Sequence, residues 1–301
     1  RAFPSLSSAE FIIYRGLDVN SLPYSDVTIC TLWTSAYLLA RFSNTRGKFY
    51  FVQDYEPLFY PAGTFYALAE ATYEMNFHCI VNTPGLYEFL VQKHGIYGEY
   101  FTPAVDTDLF YPVESLENKG NDRLKLFVYG RPHHDRNAFE LAVATIHKLK
   151  QRLGDRIEII SAGSEWEPAD YGLEGMVNNM GLIPMDRTAD IYRQCDLGLV
   201  FMFTKHPSYL PLELMASGCV VVTNENSANR WLFDGKNALL VKPFPSYIVD
   251  KITGIINKKE EMQRIAQNAL STIKRLSWKG QMEKIWNFIL KGRDNDILCD
   301  S

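Results

Sequence analysis

The stretch from Leu197 to Asn224 allows few architectures. Leu197 to Phe203 is an apolar run that reads as a buried strand ending in a polar loop. Ser208 then stands as a candidate N-cap, Pro211 suits a first helical turn, and Glu213 follows one turn in. Gly218 stops that helix early, and Cys219 to Thr223 begins a second buried strand. Strand, loop, short helix, strand is a parallel crossover. Its loop lies at the carboxyl end of the first strand, where open α/β sheets bind ligands. The N–H groups near Tyr209, Leu210, Pro211 and Leu212 are offered to an anion, and Glu213 is close enough to accept from ribose hydroxyls. A nucleoside diphosphate suits this arrangement. The plain alternative is a capped helix with Glu213 facing solvent.

The rest of the chain repeats the alternation. Val27 to Leu32, Lys48 to Gln53 and His78 to Asn82 read as strands. Ser35 to Phe42, Thr64 to Met75 and Leu86 to His94 read as the helices between and after them. That order implies a parallel sheet. Phe101 to Glu117 holds two prolines and little periodicity, and the polar run Glu117 to Arg123 follows, so a domain boundary is expected here. Beyond it come strands at Leu124 to Tyr129 and Ile157 to Ser161, and helices at Asn137 to Leu153 and Asp186 to Gln194. After Thr223 the pattern predicts a short helix around Arg230 and a strand near Ala238 to Val241. A long helical region over Ser246 to Leu276 and a last helix over Trp278 to Leu290 complete it. The last helix carries Met282, Ile285, Trp286 and Ile289 on one side. The expected domains are 1–112, 113–276, and a C-terminal helix and tail over 277–301 packing back towards the first domain. The crevice between two such units is the natural place for a ligand.

Bulk properties narrow the function. A net charge of −4 and a pI near 5.9 argue against a nucleic-acid partner, which would favour a basic face. No apolar run approaches the roughly 20 residues that span a bilayer. The five cysteines show no metal-ligand spacing, so reduced thiols in a cytoplasmic protein are expected. The chain opens on Arg1 rather than Met, which suggests a fragment or a trimmed form.

Several stretches are candidates for chemistry. Tyr129 to Asn137 (YGRPHHDRN) follows a strand and opens a helix. Gly130 permits close backbone approach, and the forked donors of Arg131 and Arg136 suit a diphosphate; the alternative is a solvated loop. His133 and His134 are adjacent and lack a third ligand, so a metal is not expected. Asp106 and Asp108 sit in a proline-bracketed segment and read as turn formers. Asp54 or Glu56, after the strand ending at Gln53, is a candidate to orient or deprotonate an acceptor hydroxyl, with a solvated turn as the equal alternative. Gly181, Leu182 and Ile183 begin a loop that could hold a flat base through backbone contacts.

Taken together these residues resemble the family-4 glycosyltransferases of the GT-B class. Six stretches match in order over 27–290: AVDTDLFYP, YGRPHHDRN, SAG, DRTADIYRQCDLGLV, HPSYLPLELMASGCVVVTN and the Trp278 helix. The resemblance implies two Rossmann-type domains facing a cleft, the first of them truncated. It also implies a retaining, metal-independent transfer that needs no cofactor beyond a dTDP- or UDP-linked donor. It assigns the donor diphosphate to Arg131 and Arg136, and the ribose to Glu213 as the second glutamate of an E-x7-E motif. The first glutamate is replaced by Lys205, so Lys205 or the neighbouring His206 is expected near the phosphates. More narrowly, FVQDYEPLFYP, YGRP…RNAFEL and HPSYLPLE are similar to the rhamnosyltransferase-type branch, which uses dTDP-L-rhamnose to build surface polysaccharides. The partners implied are a nucleotide-sugar donor and a glycan or lipid-linked glycan acceptor. A cytoplasmic location is expected, with peripheral association at the inner membrane face left open. An inactive nucleotide-sugar-binding or scaffold protein, or a GT-B epimerase, stays open as an alternative.

Overall fold

The computed structural model describes residues 8–16, 18–113 and 123–294, and these divide into two compact units. The first comprises the described residues up to Thr102 together with those from Lys279 onward; the second runs from Pro103 to Trp278.

The first unit is a four-stranded parallel sheet in sequential order, β1 (Ser25–Cys30), β2 (Thr45–Val52), β3 (His78–Asn82) and β4 (Gly98–Phe101). Helices α1 (Trp33–Arg41), α2 (Thr64–Ala71) and α3 (Pro84–His94) follow the first three strands. Its core is aromatic: Tyr50, Tyr55 and Tyr73 are buried and stack, with centroids 5.9 Å apart for Tyr50–Tyr73 and 5.6 Å for Tyr55–Tyr73. The other face is covered from the C-terminal helix, where Phe288 packs edge-on against Phe49 and against His78. Strand β4 has no clear pattern in sequence, because its four residues are mostly half-buried. On the last helix Ile285 and Ile289 are buried, whereas Met282 and Trp286, expected on the same side, are exposed.

The second unit is a six-stranded parallel sheet. Its strands are β5 (Leu124–Tyr129), β6 (Ile157–Ala162), β7 (Asn178–Asn179), β8 (Leu197–Leu199), β9 (Val220–Asn224) and β10 (Leu239–Val241). They lie in the order β10-β9-β8-β5-β6-β7. The chain therefore winds outward from β5 in one direction, then returns and winds outward from β8 in the other, the arrangement of a doubly wound dinucleotide-binding sheet. Residues alternate between its two faces with period two. Leu126, Val128, Val220 and Val222 enter one core with α4 (Phe139–Leu153) and α7 (Pro245–Ile256); Phe127 and Val221 enter the other with α5 (Met185–Gln194) and α6 (Leu210–Ala216).

Four expectations change. The division falls at Thr102/Pro103 rather than after residue 112, because the segment expected to end the first domain supplies core to the second. Phe110 is buried there and stacks on Tyr192 at 6.0 Å, with Val105 and Leu109 beside it. The polar run that suggested the later break lies, apart from Arg123, outside the described residues. Strand β8 stops at Leu199, and after one more main-chain bond, from the Val200 N–H to the Val222 carbonyl, the chain turns to asparagine side chains instead of a ladder. The segment around Arg230 forms turns, and the long C-terminal helical region breaks into α7 and α8 (Lys259–Ile273) at Asn257–Lys258. The final helix, α9, spans Trp278–Asp294.

Candidate functional site

Because β5 and β8 are neighbours whose onward connections leave to opposite sides of the sheet, a gap opens between the loops at their carboxyl ends. The loop after β5 carries Gly130, Arg131, His134 and Arg136; the loop after β8 carries Lys205, His206 and Ser208 and leads into α6 with Glu213. The two loops are joined along the main chain, where the Phe203 N–H donates to the Arg136 carbonyl at 2.9 Å.

Asparagine side chains, two of them buried, shape the β8 loop. Asn137 Nδ2 donates to the Phe201 carbonyl at 3.2 Å. Asn224 accepts from the Met202 N–H and donates to its carbonyl, both at 2.9 Å. Asn226 Nδ2 faces the carbonyls of Met202, Thr204 and His206 at 3.1, 2.9 and 3.0 Å. These side chains give an irregular loop the hydrogen bonds a strand would have supplied. Sequence reading missed all three; Asn224 and Asn226 just past an apolar strand were the available signal.

Arg131 donates to the Tyr129 hydroxyl at 3.2 Å, and its other terminal nitrogen contacts His134 Nε2. His134 is held below its ordinary pKa by burial and by the charges of Arg131 and Arg136, so one imidazole feels both guanidinium groups. His206 is pushed down to about 4 by burial and by Arg136. It is therefore neutral near pH 7, with Nδ1 accepting from the Ser208 N–H at 2.9 Å. Ser208 does not cap α6: its φ is 53°, the residue before the helix is Tyr209, and no side chain caps it. Gly130 is required for a reason other than ligand approach. A methyl group there would stand 2.3 Å from Ser161 Oγ and 2.6 Å from Trp166 Nε1.

Beside this gap lies a cavity of about 230 Å³. Phe110, Phe127, Tyr129 and Tyr192 line it together with Gly163, Leu182, Ile183 and Leu210. Glu213 is the one charged side chain lining it among the described residues, and burial raises its carboxyl to about 7. The structure thus brings Leu182, Ile183, Leu210 and Glu213 to one cavity. Pro211 and Leu212 are buried in the first turn of α6, and Gly181 directly precedes the lining residue Leu182.

The candidate acids of the first unit are neither solvated nor available. Asp54 is 1% exposed and its Oδ1 accepts from the Tyr55 N–H at 2.7 Å. Glu56 is 2% exposed, and its Oε2 accepts from the Trp33 N–H at 2.6 Å, at the start of α1, and from the Tyr50 hydroxyl at 3.1 Å. Both serve the fold of the turn after β2, so the reading of either as a base for an acceptor hydroxyl is withdrawn. Asp106 forms the expected turn, its Oδ1 accepting from the Asp108 N–H at 3.0 Å. Among the described residues no group of histidine, cysteine or acidic side chains is placed to hold a metal ion, and no helix is long and apolar enough to cross a membrane.

Comparison with known proteins follows the same lines. The family profile of the WsaF C-terminal domain matches residues 124–253, and that of the WsaF N-terminal domain matches residues 21–83. Sucrose-phosphate synthase from Thermosynechococcus elongatus superposes with a TM-score of 0.71 at 16% identity, covering 88% of this chain and 74% of that one. The fold is GT-B. HepE of Anabaena, solved with UDP and glucose, superposes on this GT-B chain with a TM-score of 0.70 at 15% identity, over 88% of this chain and 77% of its own. The O-antigen biosynthesis protein RfbC of Myxococcus xanthus is 44% identical over 288 residues, which is 95% of this chain. The chain spans only 22% of the length of RfbC.

Proposed function

We propose that the chain is a glycosyltransferase that moves a sugar from a nucleoside-diphospho donor to a hydroxyl of a growing surface glycan, with retention of anomeric configuration. The observation that carries this reading is Glu213: a carboxyl held near neutrality at the edge of an aromatic-walled cavity, at the switch point of a doubly wound sheet. An aromatic slot of this size suits a flat base, and the carboxyl beside it suits a ribose diol. Arg131 and Arg136 in the adjoining loop suit the diphosphate, whose negative charge grows as the sugar departs. In this reading the two guanidinium groups do what a divalent cation would do elsewhere, so turnover persists in a chelator. His206, neutral at working pH, adds no charge but can donate or accept a hydrogen bond beside the phosphates.

The similarity to RfbC, named for O-antigen biosynthesis, supports a polysaccharide product. The HepE complex with UDP and glucose supports a nucleotide-sugar donor for this fold. The rhamnosyltransferase-type motifs favour dTDP-L-rhamnose as that donor, and a lipid-linked glycan at the inner membrane face as the acceptor. Calorimetric titration with dTDP and UDP tests the site. Arg131→Ala, Arg136→Ala and Glu213→Ala are each expected to weaken binding by roughly tenfold or more, the worth of a charge-assisted hydrogen bond. Unchanged affinity in all three would refute it.

A further inference from the structure

The adjacent His133 and His134 of the β5 loop take no part in the contacts proposed above, and the fold gives them different surroundings. Arg131, Pro132, His133 and His134 form a turn closed by the His134 N–H, which donates to the Arg131 carbonyl at 3.1 Å. Proline at the second position sets its backbone in advance. The turn leaves His133 exposed and returns the half-buried His134 to the side of Arg131. There the two side chains meet, a terminal guanidinium nitrogen against His134 Nε2. A guanidinium only donates, so Nε2 is the acceptor and the ring is neutral, with its proton on Nδ1. Burial and the charges of Arg131 and Arg136 favour that neutral form. The other terminal nitrogen donates to the Tyr129 hydroxyl at 3.2 Å, and the guanidinium carbon stands 5.7 Å from the centre of the Tyr129 ring. Tyr129 lines the same cavity as Glu213. The guanidinium is thus held at both terminal nitrogens, beside the cavity, with N–H donors left over.

Both acceptors are uncharged. A carboxylate in either place would hold the arginine more tightly but cancel the charge that attracts a diphosphate; an imidazole and a phenol fix its plane and leave that charge intact. We infer that His134 is a positioning residue for Arg131: together with the Tyr129 hydroxyl, its neutral imidazole holds the guanidinium ready for the diphosphate of the bound nucleotide. The proposal rests on the nucleotide reading of the site. It adds that the long Arg131 side chain is ordered before the ligand arrives, so that binding does not have to freeze it. It also adds that His134 acts through the arginine and not on the phosphates.

Calorimetric affinities of the whole chain for dTDP and UDP, measured for His134→Ala, Arg131→Ala and the double variant, form a double-mutant cycle. His134→Ala is expected to weaken binding by roughly three- to tenfold, the worth of ordering one long side chain in advance. In the Arg131→Ala background the same change has no effect. His134→Gln, whose amide oxygen can stand in for Nε2, restores most of the affinity, which a merely structural role for the ring would not produce. In the ligand-free protein at pH 7, nitrogen NMR of the labelled imidazole, assigned with His134→Gln, is expected to show Nε2 as the unprotonated nitrogen. A protonated Nε2 overturns the proposal. So does a His134→Ala effect that is absent or equal in both backgrounds, and so does a glutamine variant as weak as alanine. If Arg131→Ala binds both nucleotides as well as wild type does, or neither nucleotide binds wild type, the nucleotide reading fails and takes the proposal with it. The ligand-free NMR result tells that outcome apart from a misassigned histidine.

Discussion

Replacing Glu213 with glutamine removes the one carboxyl that lines the cavity among the described residues, and the effect on stability has a definite sign. Burial holds the carboxyl at about 7, against an ordinary value of 4.5. The folded chain therefore prefers the protonated form, while the unfolded chain ionises earlier as pH rises. Wild-type stability falls from about pH 4.5 upward and levels off above about pH 7; glutamine, which cannot ionise, escapes this loss. At roughly 1.4 kcal/mol per pKa unit the ceiling is about 3 kcal/mol, and partial contact with solvent through the cavity mouth reduces it to about 2 kcal/mol. For a unit of this size that corresponds to a melting-temperature gain of about 4–8 °C. Scanning calorimetry of both proteins from pH 4.5 to 8.5 measures it. Glu56, also raised to about 7 by burial, titrates in the same window but is common to both proteins and cancels in the difference. A gap between variant and wild type that stays constant across that range would refute the reasoning, as would a variant less stable at pH 8.

Gly130→Ala is expected to destabilise the second unit by about 1–3 kcal/mol in a denaturant titration, because Ser161 and Trp166 fill the space its methyl would need. Asn226→Ala should lower nucleotide affinity in calorimetry although both arginines remain, since three carbonyls of the β8 loop lose their shared donor. Phe110→Ala should cost the second unit about 3–5 kcal/mol in the same denaturant assay, where a linker residue would cost almost nothing.

Much of the architecture was legible in the residues. His78–Asn82 and Leu124–Tyr129 stand in the structure with the bounds their apolar runs suggest, because strands buried on both faces carry an uninterrupted signal. Strand β4 carried none, since Gly98, Glu99 and Tyr100 are half-buried and only Phe101 is fully covered. The site was legible as a set of loops but not as a geometry. Ser208 has the composition of a cap, yet its positive φ depends on the bond from its N–H to His206. The need for glycine at 130 comes from Ser161 and Trp166, more than thirty positions away, and no local pattern encodes that crowding. Glu56 looked like part of a solvent-facing acidic turn because its partners, Trp33 and Tyr50, are supplied by neighbouring elements.

The pairing of β5 with β8 sets Leu126 against Leu197 and Val128 against Leu199, about seventy residues apart along the chain. No ribosome-bound intermediate that ends before β8 can own this pocket, however well its first three strands of the second unit have formed. Ligand will therefore rescue chains that include β8 during refolding but not shorter nascent ones.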